Sequence, residues 1–276
     1  MPERSSSRTA LGTAYMRAAH QLLDAAPHIL EDPIALRLLG AGAQERILSS
    51  SAEYQSRARR SLRAHVVLRS RYAEDRLAAA FERGVRQYVL LGAGFDSFAL
   101  RQPDWAQALQ IFEVDHAASQ AQKRERIASA GLVLPQNVHF ASIDFEHESL
   151  CEGLRRSALA FDRPAFFSWL GVTMYLHEDA IDAVLSCVAG FPAGSEIVLT
   201  YAPPGEQPSH FEQQSAGLGE PWISFFEPPA LEAKLKGAGF SSVEFLPVAQ
   251  TEALYFRPRP QDLQAPQRTN LVSAIR

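Results

Sequence analysis

The chain has 276 residues, 46% of them hydrophobic, enough to bury the core of one sizeable domain. With 31 acidic against 27 basic residues its formal charge is −4, so electrostatics gives no reason to expect a nucleic-acid partner. No apolar run approaches membrane-spanning length and no leader-like apolar segment opens the chain, so a cytoplasmic protein without a membrane partner is expected.

Residues 1–9 are polar and expected to be loosely held. Thr9 is placed to cap a helix carrying Tyr15, Met16, Ala19 and Leu22, with Pro27 beyond its end. Asp32-Pro33 reads as a cap followed by proline at the first helical position. A long helix is expected across much of 51–83, stopped by Gly84. Its arginines (Arg57, Arg59, Arg60, Arg63, Arg69 and Arg71) read as a solvated face rather than a polyanion site. Residues 1–84 are thus expected to form a helical cap ahead of a core at 85–276.

From residue 87 the pattern alternates. Strands are expected at 87–92, 110–115, 138–143, 165–170 and 195–201, with helices near 96–101, 117–131, 147–159 and 177–190. Such alternation argues for an α/β fold with a parallel sheet covered by helices on both faces. Residues 202–227 break the rhythm with prolines, glycines and the aromatics Phe211, Trp222, Phe225 and Phe226. They are expected to form a lid over a cleft or to pack the edge of the core. A helix at 228–238 precedes an expected antiparallel pair at 241–246 and 251–257, and the proline- and glutamine-rich tail after Pro258 reads as loosely held. Cys151 and Cys187 have no metal-ligand spacing and read as reduced thiols; no metal site is expected.

The chemistry concentrates at the carboxyl ends of the first three strands, where such sheets bind ligands. Gly92-Ala93-Gly94 ends the first strand and lets the backbone turn tightly against a ligand. Ser97 stands where a dinucleotide fingerprint wants a third glycine. Asp115 ends the second strand, 23 positions after Gly92, close to the roughly 20-residue offset at which a carboxylate meets ribose hydroxyls. His116 follows it, lining the same site or facing solvent. Asp144-Phe145 after the third strand could bracket an adenine ring.

These pieces, with Arg17-Ala18, Asp32-Pro33, Leu68-Arg69-Ser70-Arg71, LGAGFDSFALR at 91–101, FEVDH at 112–116, Lys123-Arg124, SWLGVTMYL at 168–176 and Gly194-Ser195, resemble the leucine carboxyl methyltransferase family, in particular its bacterial S-adenosylmethionine (SAM)-dependent O-methyltransferases. The resemblance implies a seven-stranded class I methyltransferase sheet, Rossmann-like, with the last strand antiparallel and a helical N-terminal cap. It implies that Gly92, with Ala93 and Gly94, lies under the methionine part of SAM. Arg69 would pair with the cofactor's carboxylate, Asp115 hold the ribose, and Asp144 and Phe145 hold the adenine. Arg17 falls near a basic cofactor-binding position of the family. Two departures stand out: Ala117 replaces a proline of many relatives, and Leu170 occupies the cofactor-facing position where others carry glutamate.

An ionised carboxylate acceptor, with a pKa near ~4, needs no base, whereas a phenol near ~10 benefits from one. Tyr175 is a candidate to orient the acceptor oxygen, or a buried ring that only packs. His177 is a candidate base, or the start of a helix. His139, inside the third strand, reads as structural and Tyr201 as a weaker candidate. The expected function is methyl transfer from SAM to a carboxylate or phenolic hydroxyl of a small, aromatic or polyketide-type acceptor. A protein C-terminal carboxylate, a nicotinamide-dependent oxidoreductase and a non-catalytic SAM-binding protein stand as alternatives.

Overall fold

The computed structural model describes residues 7–205, 207 and 209–276. The expectation of a loose 1–9 segment lies mostly outside these residues; within them, Ser7 to Thr9 already begin the first helix. That helix, α1 (Arg8–Leu23), is capped by Ser7, whose hydroxyl accepts from the Ala10 N–H at 3.1 Å, rather than by Thr9. Next come α2 (Pro33–Leu39), α3 (Ala43–Ser49), α4 (Ser51–Tyr54) and α5 (Arg57–Glu82). Asp32 caps α2 with Pro33 behind it, and its carboxylate accepts from the Ala35 N–H at 3.0 Å.

The 26-residue α5 is about 39 Å long at 1.5 Å per residue. Its arginines do not form one solvated face. Arg63 is fully buried and donates twice to Asp24, at 2.7 and 2.8 Å, while Arg69 turns inward; Arg71, paired with Asp75, is exposed. A 26-residue helix packed by α1 on one side and the sheet on another has too little free circumference for six solvated arginines.

Seven strands follow: β1 (Gln87–Leu91), β2 (Gln110–Asp115), β3 (Val138–Ser142), β4 (Ala165–Trp169), β5 (Glu196–Thr200), β6 (Ser242–Phe245) and β7 (Leu271–Ile275). Their order across the sheet is β3-β2-β1-β4-β5-β7-β6. The first five pair in parallel; β7 runs antiparallel between β5 and β6. Every residue of β1, β4 and β5 is buried, as expected of parallel strands covered on both faces. The helices between strands are α6 (Ala117–Ser129), α7 (Leu150–Arg155) and α8 (Glu178–Ala189). After β5 come α9 (His210–Gly217), α10 (Pro228–Ala238) and α11 (Val248–Thr251).

Two expectations about the C-terminal region are corrected. Residues 251–256, expected as a strand reaching 257, are helical, α11 continuing into a π-helical turn at Glu252–Phe256. The tail is not loose: β7 lies in it, with Leu271 to Ala274 buried. Its apolar run is short and follows a polar stretch, so only its two partner strands mark it as central. Glu196 in β5, fully buried, accepts from Arg76 (2.6 Å) and Arg83 (2.5 Å) of the cap and from Ser273 of β7 (2.7 Å), tying all three together.

Cys151 and Cys187 are not separate thiols. They form a disulfide between α7 and α8, with Cα atoms 5.6 Å apart. Both helices pack on the same face of the sheet and bring together residues 36 positions apart, a proximity that spacing does not reveal. Disulfides persist mainly in oxidising surroundings, so the bond removes the support two thiols lent to a cytoplasmic location. Among the described residues no helix is long and apolar enough to cross a membrane, and no His, Cys, Asp and Glu group could hold a metal ion.

Candidate active site

A cavity of about 1690 Å³ opens over the carboxyl ends of the parallel strands, between the sheet and the cap. Its floor is the turn after β1. Gly92 and Gly94 take positive φ angles of 69° and 47°, the left-handed region that favours glycine. A Cβ on Gly92 would lie 2.4 Å from Val172 Cγ2, so this turn closes only around glycine. Asp115, ending β2, accepts from the Gly94 N–H (2.6 Å) and the His116 N–H (2.7 Å), which fixes its carboxylate against the glycine turn. Burial raises its carboxyl above the ordinary value, and those two backbone donors oppose the rise. His116 caps α6 through its own ring nitrogen, which accepts from the Ala118 N–H at 3.2 Å. Asp144 and Phe145 follow β3; the Phe145 ring packs 6.3 Å from that of Trp169.

Arg69, Gly92, Ala93, Gly94, Asp115, His116, Asp144, Phe145, Leu170 and Tyr175 all line this one cavity. His177 does not. It is exposed at the N-terminus of α8, where its backbone N–H donates to Glu146 at 3.0 Å. His139 is also elsewhere, stacked on Phe112 and bonded to Gln110 at 2.8 Å. Tyr201 lines the cavity.

Arg69 reaches in from α5. Its guanidinium lies over Gly171, where a Cβ would come within 2.5 Å of Nη1. Among the described residues it has neither a hydrogen bond nor an ion pair. Burial and the like charge of Arg17 pull its pKa down to about 10, against Tyr175 and Asp96, which raise it. It stays charged at neutral pH, and among the described residues no carboxylate pairs with it directly. Leu170, just before Gly171, packs its side chain against apolar neighbours and supplies none. Arg17, by contrast, is spent on structure: it donates to Asp32 at 2.9 Å and to the Phe95 carbonyl. Asp32 also accepts from Ser97 at 2.6 Å, so cap and glycine turn share one buried polar network.

The lid crosses the opposite side. Its backbone is held by Ile223 N–H to the Met174 carbonyl (2.7 Å) and Phe226 N–H to the Ala202 carbonyl (2.8 Å). Ser215 Oγ lies 3.2 Å from the Tyr175 hydroxyl. Glu220 grips the start of α1: it accepts from the Arg8 N–H (2.7 Å), the Ser7 hydroxyl (3.1 Å) and Thr9. A carboxylate there meets the unpaired N–H groups and positive end of the helix.

Sequence reasoning passed over Glu220 and His65. The clasp joins residues more than 200 positions apart and has no sequence signal. His65 had one: it lies four residues before Arg69 in a helix, hence on the same face. It lines the cavity, and burial, then the charge of Arg69, pull its pKa down to about 3, so it is neutral at ordinary pH.

The leucine carboxyl methyltransferase family model matches residues 10–189. A Bacillus subtilis protein provisionally named S-adenosyl-L-methionine-dependent methyltransferase YktD is 29% identical, with all of both chains covered. A Frankia alni protein provisionally named for the same activity is 30% identical over 97% of this chain and 94% of its own. Among solved structures, a protein from Thermobifida fusca, provisionally described as a methyltransferase, superposes with a TM-score of 0.57 at 17% identity, covering 99% of this chain and 95% of that one. A DUF574 family protein from Streptomyces avermitilis gives the same TM-score at 14% identity, covering 98% and 97%. At such identities these two structures speak for the fold.

Proposed function

The chain belongs to the leucine carboxyl methyltransferase family, and from that premise we propose that it transfers the methyl group of SAM to a carboxylate or phenolic oxygen of a small acceptor with an aromatic or polyketide-type body. SAM supplies a methyl carbon made electrophilic by the positive sulfur beside it. The observation that carries the reading is the cavity itself. At about 1690 Å³ it exceeds the roughly 300–1,000 Å³ of a single small-ligand site, so it has room for a cofactor and an acceptor side by side.

The residues present fit the cofactor. Arg69, a half-buried cation with no paired carboxylate among the described residues, suits the amino-acid carboxylate through its two-pronged donor geometry. Gly92, Ala93 and Gly94 allow close backbone approach, and the Asp115 carboxylate, pinned by two backbone donors, keeps lone pairs for ribose hydroxyls. Asp144 and Phe145 suit the adenine edge and face, with His116 and Leu170 completing the wall. Tyr175 orients the acceptor oxygen from the lid side. The exposed position of His177 gives it no part in the transfer. The protein's work is to align two reactants and exclude water, effects that supply much of the acceleration in such displacements.

The test is transfer of isotopically labelled methyl from SAM to aromatic acids, polyphenols and peptides with a free C-terminal carboxylate, followed by mild base. Label released as methanol identifies a methyl ester, and label that survives identifies an ether. Labelling of the peptides alone would move the acceptor from small molecules to a protein C-terminus. No label in any acceptor, with SAM bound, would reduce the protein to a binding role.

A further inference from the structure

Helix α5 lines the cavity between Arg57 and Ser70, and its inward stripe changes character along the way. At 3.6 residues per turn, Ala58, Leu62, His65 and Arg69 fall within about 60° of one another around the axis. All four line the cavity. Measured from Arg69 along the axis, His65 lies about 6 Å away, Leu62 about 10 Å and Ala58 about 16 Å. The order is therefore a cation, a neutral imidazole, then two apolar side chains. Met174, Leu218 and Trp222 add to the apolar lining of the same cavity. Arg57, Arg59 and Arg60 line this end of the cavity as well; Arg59 pairs with Glu53 at 2.8 Å, Arg60 donates to the Asp262 carbonyl, and Arg57 is exposed at the rim.

His65 has no hydrogen-bond partner among the described residues. A neutral imidazole carries one N–H and one lone pair, so it can receive either a hydroxyl or a carboxylate oxygen. It sits between the position Arg69 assigns to the cofactor's carboxylate and the apolar stretch beyond.

We propose that His65 is a positioning residue that holds the acceptor's oxygen, and that Leu62 and Ala58 carry the acceptor's body, so that the acceptor is a small apolar molecule with one oxygen nucleophile at its end. The proposal rests on the methyltransferase reading above and adds to it the residue that selects the acceptor.

The test is calorimetric titration of the full-length protein, loaded with S-adenosylhomocysteine, with 2-naphthol, 2-naphthoate and naphthalene. At least one oxygenated probe binds, about tenfold or more tighter than naphthalene, the scale of one hydrogen bond. His65→Ala removes that advantage, His65→Asn restores most of it, and neither changes S-adenosylhomocysteine affinity beyond about twofold. Leu62→Trp blocks both oxygenated probes and spares the cofactor product. Binding of 2-naphthol alone identifies a hydroxyl acceptor and of 2-naphthoate alone a carboxylate; both support the assignment. The proposal is overturned if naphthalene binds as well as the oxygenated probes, if neither oxygenated probe binds, or if His65→Ala has no effect. A parallel loss of S-adenosylhomocysteine affinity in His65→Ala overturns it too, by moving His65 to the cofactor. Failure of the wild type to bind S-adenosylhomocysteine defeats the methyltransferase reading itself, and this proposal with it.

Discussion

At the sheet end of the cavity, Gly92 and Asp144 follow parallel strands and Asp115 ends one, and their positions are set by backbone hydrogen bonds between neighbouring strands. At the cap end the walls come from α1, α5, the lid and residues 264–268, held by side-chain ion pairs and clasps. The sheet end is therefore rigid for the same reason the sheet is, whereas the cap end depends on a few polar contacts over long sequence separations. Two arginines on α5 show the contrast in one element. Arg63 is buried, with its donors taken by Asp24 and the Tyr54 carbonyl; Arg69 is half-buried and has no paired carboxylate among the described residues. The first holds the cap in place, and the second is the cation proposed above for the cofactor's carboxylate.

The largest effect should come from breaking the saturated pair. Arg63→Met leaves the Asp24 carboxylate buried without its cation and should lower stability by about 3–5 kcal/mol in urea unfolding. The SAM affinity of the folded protein should hold; a parallel fall would show that the two ends of the cavity are not separable. Next, Cys187→Ser should cost about 2–4 kcal/mol, since it frees a loop of 36 residues in the unfolded chain. The same loss on treating the wild type with dithiothreitol, and none on treating the variant, would assign the effect to the disulfide.

At the sheet end the signature inverts. Asp115→Ala should weaken SAM binding about 100-fold, near 2.7 kcal/mol, with the unfolding midpoint little changed. Unaltered SAM affinity in calorimetry would break the ribose assignment. Arg69→Met should weaken SAM about 10- to 100-fold but leave 5′-methylthioadenosine, which lacks the carboxylate, unaffected. Equal losses for both ligands would remove Arg69 from the carboxylate. The smallest effect is expected at the clasp. Glu220→Gln removes a charge from the start of α1 and should cost about 0.3–1 kcal/mol. It should raise hydrogen exchange in 210–226 while exchange in β1 and β2 stays unchanged.

The sheet end was legible because its signals are local. A buried strand ending in Gly-Ala-Gly, a carboxylate 23 positions later and an Asp-Phe pair after the third strand each follow from residues adjacent in the chain. The cap end was read less well. The arginine run of α5 looks uniform in sequence, yet only packing against Asp24 and the cavity separates Arg63 from Arg69. His177 looked like a base because it follows the strand-end motif, but the chain turns away into α8 and leaves it in solvent.

By itself the sequence determined the alternation of buried strands and amphipathic helices, the glycine turn and the carboxylates at the strand ends, because periodicity and turn chemistry are properties of neighbouring residues. Tertiary structure alone decided that residues 271–275 enter the sheet between β5 and β6, that Cys151 meets Cys187, and that Glu220 closes on α1. Each of these joins segments whose proximity arises only when both pack against a third, and no local preference encodes such a meeting.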